Sequence, residues 1–211
     1  MDLFSEELKD YLAAHCDAEN DLLKAIDRET HLKVPMPRMI SGHYQGRVLS
    51  MLSKMINPKT ILEVGTYTGY ATLCLGEGLT DNGIIHTIDI NAELEDMVRN
   101  NFRKSPFNDK IIYHLGDASK IIPELNEVFD LVFIDADKKN NGRYYQMIMD
   151  KLSPGGIIIV DNVLWSGKVL EEKNDQNTAI IAKFNQVVSK DNRVEKLILP
   201  IRDGLFVIRK K

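Results

Sequence analysis

The chain has 211 residues, 44% of them hydrophobic and 27% charged, with a formal net charge of −4 at pH 7. That is enough for one sizeable core, and the acidic balance argues against a surface built overall for a nucleic-acid polyanion. Cys16 and Cys74 offer neither CxxC spacing nor a disulfide framework, as in a reducing compartment. The acidic, amphipathic start MDLFSEELKDYLAAH is unlike a signal peptide, and no run approaches the roughly 18 apolar residues of a membrane span; a cytoplasmic protein is expected.

In chain order, Leu8, Leu12 and Ala13, then Leu22, Leu23 and Ile26, recur at helical spacing and predict two surface helices ahead of the main domain. Val34-Pro-Met-Pro37 interrupts the pattern. Helical spacing resumes over Gly46, Val48, Leu49, Leu52 and Met55 and stops before Pro58. Residues 1–57 are expected to form N-terminal helices and a cap, and 58–211 a Rossmann-like core, together one domain. In that core, the apolar runs Thr60–Val64, Ile84–Asp89, Ile111–Leu115, Asp130–Ile134 and Ile157–Val160 alternate with helical segments around 93–102, near Ile121 and over 144–152. Such alternation indicates βα units and a parallel sheet. The lack of strict polar alternation fits strands covered on both faces. Glu195–Leu199 and Leu205–Ile208, joined by a short loop with Asp203-Gly204, predict an antiparallel hairpin. The fold class is therefore α/β: a mostly parallel, seven-stranded, doubly wound sheet with an antiparallel C-terminal hairpin and helices on both faces. Arg209-Lys210-Lys211 read as a solvated tail.

In open α/β sheets ligands bind beyond the carboxyl ends of the strands. All five parallel runs bring an acid to that edge: Glu63, Asp89, Asp117 (in Gly116-Asp117-Ala118), Asp135 (in Asp135-Ala-Asp137-Lys138) and Asp161, followed by Asn162. The first turn, Gly65-Thr-Tyr-Thr-Gly69, allows close backbone approach, but its spacing is not the GxGxxG of a dinucleotide fingerprint. Asp89, 24 residues beyond Gly65, suits ribose hydroxyls. Glu63 would repel a pyrophosphate and favour a cationic group, so adenosine with a cationic, phosphate-free tail, as in S-adenosylmethionine, fits better than NAD. Asp135 and Asp161, 26 residues apart, suit neighbouring parallel strands. Crowded carboxylates repel unless a cation joins them, and an all-oxygen set with Asn162 favours Mg²⁺, Ca²⁺ or Mn²⁺. The competing reading is that Asp161-Asn162 only caps a turn.

Taken together, Leu62-Glu-Val-Gly-Thr-Tyr-Thr-Gly-Tyr70, Ile88-Asp89, Gly116-Asp-Ala118, Phe133-Ile-Asp-Ala-Asp-Lys138, Asp161-Asn-Val-Leu-Trp-Ser-Gly167 and Leu199-Pro-Ile-Arg-Asp-Gly204 resemble the caffeoyl-CoA and catechol type of S-adenosylmethionine-dependent O-methyltransferases over nearly the whole chain. The resemblance implies a Rossmann-like class I methyltransferase fold and a homodimer. It implies that Ser41, Glu63, Gly65, Thr66, Ala71, Asp89, Asp117, Ala118, Asp135 and Asp137 bind the cofactor. Asp135, Asp161 and Asn162 are implied as metal ligands, Mg²⁺ foremost, with Lys138 as base beside Asp135. Met39, Trp165 and Ser166 are expected on the acceptor side. Departures from the family pattern at Asn141, Met39–Gln45 and Ser166 also fall there, so the acceptor stays open.

Methyl transfer to a vicinal diphenol is the leading reading. Transfer to a hydroxylated wobble uridine of tRNA would call for a basic patch such as Lys168, Lys173, Lys183 and Lys190. A cofactor-binding module without turnover would have no use for Lys138. His43 is expected at the site's edge or as a hydrogen-bonded surface histidine, and His15, His31, His86 and His114 show no metal-ligand spacing.

Overall fold

A computed structural model describes residues 5–171 and 175–211. Three helices come first: α1 (Glu6–His15), α2 (Asp21–Lys33) and α3 (Gly42–Ile56). Ser5 and Asn20 cap the first two, accepting from the backbone N–H groups of Leu8 and Leu23, which the helices themselves leave unpaired. Then follow β1 (Thr60–Val64), α4 (Tyr70–Gly76), β2 (Ile84–Asp89), α5 (Glu95–Arg103), β3 (Ile111–Leu115), α6 (Ala118–Glu124), β4 (Phe129–Ile134), α7 (Asn141–Met149), β5 (Leu152–Val160), α8 (Gln176–Lys190), β6 (Val194–Leu199) and β7 (Leu205–Lys210).

The seven strands form one sheet in the order β3-β2-β1-β4-β5-β7-β6. The first five pair in parallel, and β7 runs antiparallel between β5 and β6. The order reverses between β1 and β4, which opens a crevice at their carboxyl ends.

Alternate side chains of the central strands enter two separate cores. Leu62, Val64, Val132, Ile134, Ile158 and Val160 pack with Ile122, Tyr145, Ile148 and Phe184 from α6, α7 and α8. Ile61, Leu131, Phe133 and Ile159 pack with Leu23, Leu49, Leu75 and Phe102 from α2 to α5. Both faces are thus covered, which is why these runs do not alternate in polarity. Each such aliphatic side chain contributes roughly 1.5–3 kcal/mol by leaving water.

Three differences from the sequence reading have physical causes. Helix α2 is not only a surface helix, because Leu23 and Ile26 are buried in the second core. Helix α8 was not anticipated; Asp175 caps it, accepting from Thr178 N at 2.9 Å, and Ile181, Phe184 and Val188 form its buried stripe. The basic end is not a free tail: Arg209 and Lys210 belong to β7, and Lys210 donates to the carbonyls of Met149 and Leu152. Among the described residues no helix is long and apolar enough to cross a membrane.

Candidate active site

The turn after β1 can approach its neighbours only because two of its residues are glycine. Gly65 has φ +105°, and a Cβ there would lie 2.1 Å from the carbonyl oxygen of Asp135. Gly69 has φ +85°, and its Cβ would meet the Phe102 ring at 2.6 Å. Between them Tyr67, itself at φ +51°, donates its backbone N–H to Asp89 Oδ2 at 2.6 Å, while Asp89 Oδ1 accepts from Asn91 N at 2.9 Å. The acid at the end of β2 is thereby locked against the first turn. Asp117 caps α6, accepting from Ser119 N at 2.8 Å. Asp137 accepts from the Tyr144 hydroxyl and the Asn140 amide.

A cleft of about 1290 Å³ runs along these strand ends. Of the sequence-predicted residues, it brings together Met39, Gly65, Asp89, Asp117, Ala118, Asp135, Asp137, Lys138, Asp161, Asn162, Trp165 and Ser166. Ser41, Glu63, Thr66 and Ala71 are buried and are not among its lining residues. Asn141 is buried as well and does not line the cleft, although its departure from the family pattern pointed to the acceptor side.

Glu63 is fully buried in the centre of the sheet. One of its oxygens, Oε2, accepts from the hydroxyls of Thr72 and Thr87, and Thr87 Oγ1 lies 2.6 Å from Thr66 Oγ1. The other, Oε1, has no partner. Burial raises its pKa to about 8; the two threonine hydroxyls oppose the rise and the charges of Asp135 and Asp89 add to it. A buried carboxyl oxygen without a partner is a polar group left uncompensated beneath the cleft floor.

Asp135 and Asp161 follow the ends of the paired strands β4 and β5. Asp161 is only 4% exposed. Desolvation and the Asp135 charge both raise its pKa, against the opposing effects of Lys138, Gln45 and the Asn162 N–H. Lys138 Nζ donates to Asp135 Oδ1 at 2.9 Å. Asp161 Oδ1 accepts from Asn162 N at 2.6 Å, and Asp161 Oδ2 accepts from Gln45 Nε2 at 2.7 Å. The Asp161 Oδ1 contact reaches only the next residue, not the second or third residue on as a turn or cap would have it, and Asn162 takes φ +61° and lines the cleft. Among the described residues no three His, Cys, Asp or Glu side chains converge as a metal set. The candidate set is instead two carboxylates and one amide, a hard oxygen donor set that suits Mg²⁺, Ca²⁺ or Mn²⁺.

The cleft also includes residues that spacing did not single out: Arg38, Tyr67 and Arg202. Gln45 was also missed as a partner of Asp161; it is fully buried on α3, and its partner lies 116 positions away, so the sequence carried no signal of the pair. His43 is a hydrogen-bonded surface histidine, with Nε2 at 2.7 Å from the Asp17 carbonyl. His86 and His114 pair with each other across β2 and β3 at 3.0 Å. Of the lysines considered for a nucleic-acid patch, Lys168 faces Asp175 at 4.0 Å, Lys183 and Lys190 are exposed on α8, and Lys173 lies outside the described residues.

A family model described as O-methyltransferase matches residues 13–211. The caffeoyl-CoA O-methyltransferase of Medicago sativa is 31% identical over 205 residues, which span 91% of this chain and 83% of the relative. That of Mesembryanthemum crystallinum is 33% identical over 196 residues, covering 87% and 77%. Among solved structures, the SAH-bound methyltransferase of Podospora anserina superposes with a TM-score of 0.89 at 30% identity, covering 99% of this chain and 97% of its own. The O-methyltransferase of Bacillus cereus in complex with SAH gives a TM-score of 0.89 at 27% identity, covering 97% of each chain.

Proposed function

Because this chain belongs to the O-methyltransferase family, we propose that it carries a methyl group from S-adenosylmethionine to one hydroxyl of a vicinal diphenol, with the help of a divalent cation. The observation that carries the proposal is the pair of carboxylates at neighbouring strand ends. Asp135 and Asp161 repel one another in a largely desolvated setting, an arrangement that a bound cation relieves.

Each cluster along the cleft has a part in this reading. Asp89, held by Tyr67 N and Asn91 N, keeps lone pairs for ribose hydroxyls. The free Oε1 of Glu63 suits the amino group of the methionine moiety. Asp117 and Ala118 flank the adenine, and Gly65 and Thr66 offer backbone; Ser41 and Ala71 lie behind the carboxylate end. Asp137 lines the cofactor's side of the cleft. Asp135, Asp161 and the Asn162 amide would hold the cation, which when bound lowers the pKa of a coordinated hydroxyl. Lys138, next to Asp135, takes or stabilises the departing proton. Met39 and Trp165 wall a flat ring, with Ser166 at its edge. Holding oxygen and methyl donor in line makes the transfer effectively unimolecular.

The test is transfer of a labelled methyl group from S-adenosylmethionine to caffeate with Mg²⁺ present. Activity that survives EDTA would remove the cation from the proposal. Loss of a methoxyuridine from the tRNA of a deletion strain would move the acceptor to RNA. Light scattering on the purified protein tests the homodimer that the family resemblance implies.

A further inference from the structure

The turn Ile201-Arg202-Asp203-Gly204 joins β6 to β7 at the acceptor end of the cleft. Arg202 occupies it with φ +48°, a left-handed conformation that glycine adopts without cost and a branched-chain-sized residue does not. Its guanidinium lies against the segment leading into α3, the positive end of a helix and a poor place for a cation. Two unfavourable features at one residue call for a compensating interaction, and the side chain supplies it. Nη1 donates to the carbonyls of Ile40, at 2.7 Å, and Ser41; Nη2 donates to the carbonyl of Arg38 at 3.1 Å.

The same turn braces a second wall. Asp203 Oδ1 accepts from Ser166 N, the Asp203 carbonyl from Leu164 N at 2.9 Å, and the Gly204 carbonyl from Val163 N at 3.2 Å. A Cβ on Gly204 would sit 2.5 Å from Leu164 Cγ, so turn and wall are in close contact. Residues 38–41 carry Met39 and lead into the helix bearing Gln45, whereas 163–166 carry Trp165 and Ser166. These two segments are distant in sequence and are fastened to one turn.

We propose that Arg202 is a positioning residue that fixes the 38–41 segment against the cleft and so sets the acceptor-side geometry. The inference rests on the reading of that cleft end as the acceptor site. Arg202 acts through the backbone carbonyls of residues 38, 40 and 41.

The informative variant is Arg202→Gly, because glycine suits φ +48°. A residue serving only the turn would then leave the protein at least as heat-stable, with unchanged kinetics. A positioning residue gives a different pattern: Tm unchanged or higher, KM for caffeate raised roughly tenfold (the size of one charge-assisted hydrogen bond) and kcat within about twofold. A second readout needs no acceptor. Arg38 is an exposed trypsin site within the tethered segment, and its cleavage should accelerate by roughly tenfold or more in Arg202→Gly. Arg202→Lys keeps the charge but not the planar fork and should restore little. Unchanged KM together with unchanged cleavage overturns the proposal. If wild type and variant both fail to methylate caffeate, the acceptor reading falls alone, and the cleavage rate decides the role of Arg202 by itself.

Discussion

Gln45 donates a 2.7 Å hydrogen bond to Asp161 Oδ2 across 116 positions of sequence, from a fully buried position on α3. It ties the cap helix to the end of β5 and holds one carboxylate oxygen in a set direction. Partners behind a metal ligand typically govern affinity by about 10–100-fold. Gln45→Leu should therefore weaken Mg²⁺ binding by about that factor in titration calorimetry, with activity recovering at high Mg²⁺. Unaltered Mg²⁺ affinity would show that the bond serves packing alone.

Asp161→Asn keeps the shape of the side chain and removes a buried charge that faces another. In metal-free buffer the variant should melt no lower than wild type, because like-charge repulsion has been relieved. Mg²⁺ should raise the Tm of wild type, since a ligand bound only by the folded state stabilises it, and should leave the variant unmoved. Methyl transfer should fall by more than the roughly 100-fold of an outer partner. A variant that still responds to Mg²⁺ would place the cation elsewhere.

Glu63 makes a prediction about pH. Its folded-state pKa is raised from 4.5 to about 8, first by burial. The folded state then holds a proton that the unfolded chain releases near pH 4.5, so its contribution to stability is complete below that pH and is lost as pH rises through about 8. Cofactor-free protein should accordingly lose denaturation free energy between pH 5 and 8, and Glu63→Gln should flatten that slope. Equal slopes in the two proteins would mean that Glu63 is ionised throughout.

Gly65→Ala should be severe for a reason visible in the backbone. Its φ of +105° and a Cβ 2.1 Å from the Asp135 carbonyl leave no room for a methyl group. A loss of about 3 kcal/mol or more is expected from strain and forced separation of the two strand ends, measured by urea denaturation. A loss under about 1 kcal/mol would indicate that the turn can relax.

The strand ends were legible in the sequence because each apolar run stops at an acid, and the run-and-acid pattern survives without any tertiary information. Asp89, Asp117, Asp135, Asp137 and Asp161 all reach the cleft as expected. Glu63 belongs to the same series by spacing, yet it lies within β1 rather than beyond it and is fully buried; a one-residue difference along a strand changes the face presented. Gln45 and Arg202 were illegible for another reason. Their partners, Asp161 and the carbonyls of residues 38, 40 and 41, are brought to them only by the folded sheet. Helix α8 was available from its Asp175 cap and apolar stripe, but it follows the irregular stretch 162–171, where Trp165, Ser166 and Gly167 all have positive φ and break any period.

The position of β7 has a bearing on how the chain reaches this state. It is made after every other strand, yet it lies inside the sheet, flanked by β5 and β6. During synthesis the edge of β5, Ile157 to Val160, therefore waits unpaired, an apolar strand edge of the sort that recruits other chains. The segment bearing Arg202 and Asp203 is placed only when that gap closes, so this wall of the cleft forms late and nascent chains are most open to aggregation just before it does.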